Sequence, residues 1–462
     1  MDIQNFSALF NTPARREAFL KLIKDNKTKH IFIQGLEGSS IALFFSNLLE
    51  HKQAHIIIAN DLDEAGYLYN DLVQINGNDH ILLFPSGYKR DIKYGQPDPP
   101  SEILRTEVLN RLCQKGESLL IVTYPEAIAE KVVPVNMLSE QTLHIDKNSK
   151  CDIITLSDKL RERGFEEVDY VYEPGQFAVR GSILDVFSYT NELPYRIDFF
   201  GKEVESIRTF EVETQLSTGK LEEVYIVANV CGQEASGISI LDFIDKNTIL
   251  ICHNLSWVID RISTIASESL SEQTLIAEEG DRYAMQKIID VTAFQKKITT
   301  FRRIDYGTSS EANAPAVIRF NCTPQGVYHK NFDLVSQSFS QFIEKGYTLY
   351  ILSDSEKQIE RLQAIFEERG DSISFTPVLK TLHEGFVDND LKIGCFTDHQ
   401  IFDRFHKYTL KSEHARSGKL ALSLKELNQI EVGDYIVHVD HGIGRFGGYI
   451  PKSTEKCKRS LN

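Results

Sequence analysis

The stretch whose residue types come nearest to catalysis is Gln34-Gly-Leu-Glu-Gly-Ser-Ser-Ile-Ala42, set between an apolar run and a helical pattern. A phosphate-binding loop of the form GxxxxGK(S/T) wraps backbone N–H groups around phosphate. It adds a lysine for the β/γ-phosphates and a hydroxyl for Mg²⁺. Placing Gly35 and Gly38 on the variant GxxGxGK(S/T) leaves Ser39 at a free position and puts Ser40 on the third glycine. Ile41 then falls on the lysine and Ala42 on the Mg²⁺ ligand. A branched hydrocarbon does not offset the charge of a triphosphate. The other half of such a site is an apolar strand ending in acidic residues that hold the metal and orient water. Thr248-Ile-Leu-Ile-Cys-His-Asn254 supplies the strand but ends in His253 and Asn254, which carry no negative charge. The expectation is a degenerate nucleotide site at Gly35, Gly38, Ser39, Ser40, Ile41, His253 and Asn254, with no catalytic residue and no cofactor.

A second group of residues points to binding. In Tyr195-Arg-Ile-Asp-Phe-Phe200 the period of two puts Tyr195, Ile197 and Phe199 on one face and Arg196, Asp198 and Phe200 on the other. Arginine beside a large aromatic on a polar face is the composition of interface hot spots. Arg180 ends an earlier strand-like run, on the side opposite Phe177 and Val179. The pattern leaves a second explanation open: Phe200 precedes a turn and would cap the sheet edge, and Arg180 would pair with Asp185 or Asp198.

The elements that must position these residues alternate in the first third, with short apolar strands at His30 to Gln34, His55 to Ala59, Ile81 to Phe84 and Leu119 to Thr123. Helical patterns between them predict a parallel sheet covered on both faces. After Cys151 the texture becomes a small α+β module, with a tight turn at Gly201-Lys202. Alternation returns from Leu221, and a further α/β unit follows with a strand at Tyr347 to Leu352, a helix from Asp354 to Glu368 and a strand at Leu391 to Phe396. A polar connector leads into a β texture at Asp434 to Val439. The predicted domains are 1–125 and 216–310 for the split α/β domain, 126–215 for the module, 311–410 for the second α/β domain, 411–428 for a helical linker and 429–462 for the start of a small β domain.

The chain's 462 residues amount to about three domains, and 42% apolar content suffices for packed cores. Sixty-six acidic against 51 basic residues leave a formal charge of −15, which disfavours generic nucleic-acid binding. The start lacks a signal-peptide pattern and the apolar runs are strand-sized, so a cytoplasmic protein without membrane contact is expected. Seven cysteines stand singly, which argues for reduced thiols rather than zinc or disulfides. His438 and His441 have no Cys or further His nearby, so no metal site is expected.

Three segments resemble a known family. Tyr172-Glu-Pro-Gly-Gln-Phe-Ala-Val-Arg-Gly-Ser-Ile-Leu-Asp-Val-Phe187, Pro194-Tyr-Arg-Ile-Asp-Phe-Phe-Gly201 and Glu203-Val-Glu-Ser-Ile-Arg208 together resemble the UvrA-binding module shared by the excision-repair protein UvrB and the transcription-repair coupling factor (Mfd) family. Val432-Gly-Asp-Tyr-Ile-Val-His-Val-Asp-His-Gly-Ile-Gly-Arg-Phe-Gly-Gly-Tyr449 resembles the opening of that family's RNA-polymerase-interacting domain, an element UvrB lacks. The resemblance implies a degenerate RecA-like, UvrB-like α/β domain with an inserted module. It also implies UvrA contacts at Arg180, Arg196 and Phe200, and the RNA polymerase β subunit as a second partner. DNA is then engaged only through a motor C-terminal to this region, in transcription-coupled nucleotide excision repair. The tail Ile450 to Asn462 lacks a strand pattern, so the polymerase contact is expected to be impaired by truncation. The alternative is a divergent UvrB-like or helicase-like protein that binds nucleotide or damaged DNA directly. Against it, Tyr88 and Tyr94 are too few for the aromatic hairpin that UvrB uses on damage.

Overall fold

The strands Ile249–Cys252, Leu119–Thr123 and Ile81–Leu83 of the first sheet are apolar and buried nearly along their whole length, which suits a sheet covered on both faces. The computed structural model describes residues 1–408 except 26, 88–98, 115, 148, 190, 192, 213, 229–236, 276–287, 309–315 and 407, together with 435–438 and 442–445. Seven parallel strands lie in the order Ala316–Arg319, His30–Gln34, Arg302–Gly307, Ile249–Cys252, Ala54–Ile58, Leu119–Thr123 and Ile81–Leu83. The central members Ile249–Cys252 and Leu119–Thr123 are buried at every residue. Helices Leu62–Asn76 and Val291–Ile298 pack on this core. Asp61 caps the first by accepting from the Glu64 amide at 2.9 Å.

Two expectations shift here. The strand Ala316–Arg319 belongs to the first sheet, paired with His30–Gln34, although the sequence placed it beyond 311 in the next domain. Residues 127–129 sit in the first core rather than in the module.

The module folds around a six-stranded sheet in the order Ser217–Leu221, Glu203–Phe210, Tyr195–Phe200, Ile183–Val186, Gln176–Arg180 and Glu166–Glu167. Its inner face buries Phe177, Leu184, Val186, Tyr195, Ile197, Phe199, Val204 and Ile207 against Leu156 and Leu160 of helix Ile153–Glu162. That helix starts at Asp152, whose carboxylate accepts from the Ile154 amide at 3.1 Å, and not at the box beginning with Thr155. Thr142–Asp146 and Glu223–Val227 form a two-stranded ribbon on the same core. The module's strands therefore run past the expected limit of 215.

The second α/β sheet is mixed: Cys322–Pro324, Phe386–Asp388, Ile393–Thr397, Thr348–Leu352 and Thr376–Val378. It shares an apolar core with the first, because helix Ile3–Phe10 sends Phe6 onto Tyr350 and Phe10 onto Phe386, with ring centroids 5.2 and 5.3 Å apart. Arg15 grips the fully buried Asp388 at 2.5 and 3.3 Å. A separate unit, residues 413–462, is described only as an antiparallel ribbon of Tyr435–His438 and Gly442–Arg445. The linker 411–428, His441, Tyr88, Tyr94, Cys231, Cys457 and the tail lie outside the described residues.

Candidate partner-binding site

The registers fix which side chains share the module's outer face. Asp185 faces Ala178 on one side and Arg196 on the other, while Ile183 stands between Arg180 and Asp198. Arg180, Arg196 and Phe200 therefore lie on the same face of the sheet. Asp185 is wholly buried there. Arg196 meets it with two hydrogen bonds of 2.8 Å, from Nε to Oδ1 and from Nη2 to Oδ2, and Arg180 donates to Oδ2 as well. A buried carboxylate without partners is expensive, and a bidentate arginine is its best match. The hydrogen bonds it donates to Asp185 hold the Arg196 guanidinium charged beyond its ordinary range, against the effect of partial burial.

Further contacts hold each arginine in place. Arg196 lies over the Phe210 ring at 4.4 Å and donates to the Gln215 carbonyl at 3.0 Å. Arg180 lies over the Tyr170 ring at 4.8 Å. Their exposures differ: the Arg196 side chain is 14% exposed and Arg180 34%. Phe200 is 78% exposed and so caps no edge. It sits at the strand end beside the Gly201 turn, about 13 Å along the strand from Arg196. Of the second explanation left open by the sequence, the Arg180–Asp185 pair is present and the Phe200 edge cap is not. Asp198 is taken by Arg208 and Ser206.

The phosphate-loop remnant is filled by the chain itself. Gly35 and Gly38 both have positive φ, 80° and 53°. A Cβ on Gly35 would lie 2.1 Å from the Phe320 carbonyl oxygen, and one on Gly38 would lie 2.9 Å from that of Gly385. The Ser39 amide donates to the Glu384 carbonyl at 3.1 Å, and the Glu384 amide donates back to Ser39 Oγ at 2.9 Å. Ser39 Oγ in turn donates to Asp71 at 2.5 Å, and the His383 amide donates to the same carboxyl at 2.7 Å. Ser40 is buried and accepts from the Glu37 amide, Ala42 is buried, and Ile41 packs on the first core. At the same edge of the sheet Gly307 joins the Gly35 amide to the neighbourhood of His253. His253 is exposed, with its ring edge-on to Tyr306. Asn254 Oδ1 accepts from the Trp257 amide at 2.9 Å, so it caps the helix Leu255–Leu275. Burial pushes the Asp71 carboxyl up to about 7 and the His383 imidazole down to about 4. Asp71 and the 381–385 loop carried no local sequence signal, because their partnership spans more than three hundred residues.

Of the cysteines, Cys113, Cys151, Cys252, Cys322 and Cys395 are free thiols. Burial drives Cys322 up to about 12, with Asp388 adding to the shift. Among the described residues, His144, Asp146 and Glu223 bring three potential metal donors within 4.8 Å of one another. His144 Nε2 already lies between the two carboxylates, at 3.2 and 2.8 Å. No described helix is long and apolar enough to cross a membrane.

Residues 143–230, which contain this sheet, match the UvrB interaction domain. Residues 430–460 match the CarD-like/TRCF RID domain. The chain is similar to the transcription-repair-coupling factor of Staphylococcus aureus strain MRSA252, 23% identical over 90% of this chain, and to that of Staphylococcus epidermidis, 22% identical over 91%. It spans 42% of the length of each. The resemblance to the transcription-repair coupling factor family thus stands on two matched domains and on similarity along nearly the whole chain.

Two outcomes follow from this geometry. Asp185→Ala leaves two facing guanidiniums without their carboxylate. It should destabilise the module by about 2–3 kcal/mol, below the fully buried figure because Arg180 keeps access to water. Urea unfolding of the variant measures this. Asp71 has a folded pKa near 7, above its ordinary 3.8, so its contribution is fully present below 3.8 and lost as pH rises through about 7. Asp71→Asn should remove that part of the pH dependence of the unfolding midpoint between about 4 and 7, and an unchanged slope contradicts it.

Proposed function

We propose that this chain is a docking scaffold that recruits UvrA through Arg180, Arg196 and Phe200, with residues 429–462 as the start of a contact to RNA polymerase, in transcription-coupled nucleotide excision repair. The observation that supports it most is the exposed Phe200 on the same face as two arginines pinned by one buried carboxylate. A phenylalanine left 78% in water, on a strand whose other aromatics are buried, adds nothing to the module's own core. The ribbon Tyr435–His438 and Gly442–Arg445 belongs to the segment matching the RID domain, which supports the polymerase reading. DNA translocation and the ATPase that drives it are assigned to a motor outside this region.

The same reading makes the chain inactive toward nucleotide. The loop that would hold phosphate carries isoleucine at the lysine position, and the backbone at Glu384 and Gly385 occupies its concave side. The rival, a UvrB-like or helicase-like protein acting directly on nucleotide, needs that space empty.

Phe200→Ala should lower UvrA affinity by about 2–4 kcal/mol, or roughly thirty- to a thousandfold, with the unfolding midpoint unchanged. Arg196→Ala should weaken binding too but also loosen Asp185, so Phe200 is the cleaner probe. Wild-type affinity in Phe200→Ala rules the assignment out. Calorimetric titration with ATP and Mg²⁺ should give no heat of binding, and a micromolar isotherm favours the rival.

A further inference from the structure

We propose that the UvrA-binding surface continues from Arg180 and Arg196 onto a cap that folds over the module's outer face, with Tyr170 and Leu216 as its apolar contacts. The proposal rests on the UvrA reading above and extends it to residues that the family motif does not name.

The cap is made by the loop 168–175 and by residues 210–212 and 214–216. It has a small core of its own, Val171, Ala178, Phe187 and Phe210. Gln215 ties the two loops together, its Nε2 donating to the Val212 carbonyl at 2.8 Å and to that of Val171 at 3.5 Å. Its backbone has φ of 57°, a conformation rarely held by a residue with a side chain unless surrounding contacts enforce it. Those contacts are on hand: Arg196 Nη1 donates to the Gln215 carbonyl, and the Gln215 amide donates to that of Glu211 at 2.8 Å. The consequence falls on the next residue. Leu216 stands 67% exposed, one peptide from the group that holds Arg196.

Tyr170 makes the matching arrangement on the other arginine, with Arg180 over its ring and half of its surface in water. Each guanidinium therefore has an exposed apolar neighbour. Exposed large apolar or aromatic side chains on these loops and at the neighbouring strand end are Tyr170, Tyr172, Phe200 and Leu216. Clustering of this kind marks an interaction surface rather than scattered exposure. Two guanidiniums share one carboxylate at the arginine end of this patch, while the cap itself carries Asp169, Glu173 and Glu211. The complementary partner face is apolar where it meets Tyr170, Phe200 and Leu216.

The test uses the full chain and UvrA in solution. Leu216→Ser should weaken UvrA binding at least tenfold with the unfolding midpoint unchanged, and Leu216→Met, which keeps an apolar side chain, should restore it. Phe200→Ala run alongside separates the two levels of the account. Loss in Phe200→Ala with wild-type affinity in Leu216→Ser overturns the extension and leaves the docking site standing. Wild-type affinity in both overturns the docking site as well. Equal loss in Leu216→Ser and Leu216→Met also overturns the extension, because apolar contact is then not what the partner reads.

Discussion

One buried carboxylate governs the arrangement of the module's outer face. Asp185 is fully shielded from water, so it must be neutralised by its neighbours, and the sheet register offers two guanidiniums. Pairing and ring contact restrict the side-chain freedom of both arginines. Less side-chain freedom is then lost when a partner arrives. The stacking of Arg196 on Phe210 and of Arg180 on Tyr170 adds planar restraint that lysine would not provide. The surface is thus preorganised from below, by an ion cluster, while its most exposed element, Phe200, depends only on the hairpin geometry around Gly201.

The α/β core follows a different logic. Its parallel sheet carries the phosphate-loop remnant directly after His30–Gln34, and Arg302–Gly307 lies between that strand and Ile249–Cys252. The space that a working phosphate loop keeps open is here a junction between two sheets, closed by reciprocal hydrogen bonds between Ser39 and Glu384 and by the Asp71 carboxyl. Glycines that elsewhere allow close approach of phosphate here allow close approach of backbone. The same local sequence feature supports rigidity in place of chemistry.

Much of this was legible from the sequence, and the losses have physical causes. Strands with continuous apolar runs, such as Leu119–Thr123, and the alternating strand Tyr195–Phe200 announced both their existence and their faces. The hairpin turn at Gly201 was visible because the chain needs positive φ there. Ala316–Arg319 was missed because four residues of mixed burial carry no period, and only its parallel partner His30–Gln34 makes it a strand. Arg180, Arg196 and Phe200 were named from pattern and family resemblance, and the registers put them on one face. The part of Asp185 as a shared anchor needed three strands at once, which period-two reasoning on single strands does not supply. The occupied phosphate loop and the cap over the outer face are tertiary facts, made by contacts between segments with no common local signature.

The central claim is that the outer face of this module is where the partner sits. Hydrogen–deuterium exchange of the chain, free and saturated with UvrA, tests it most directly. The account predicts slowed exchange in the peptides covering 168–186, 195–203 and 210–217, with the parallel sheet and the 381–385 junction unchanged. Protection confined to the α/β core, with the module's outer face exchanging as in the free chain, would contradict it.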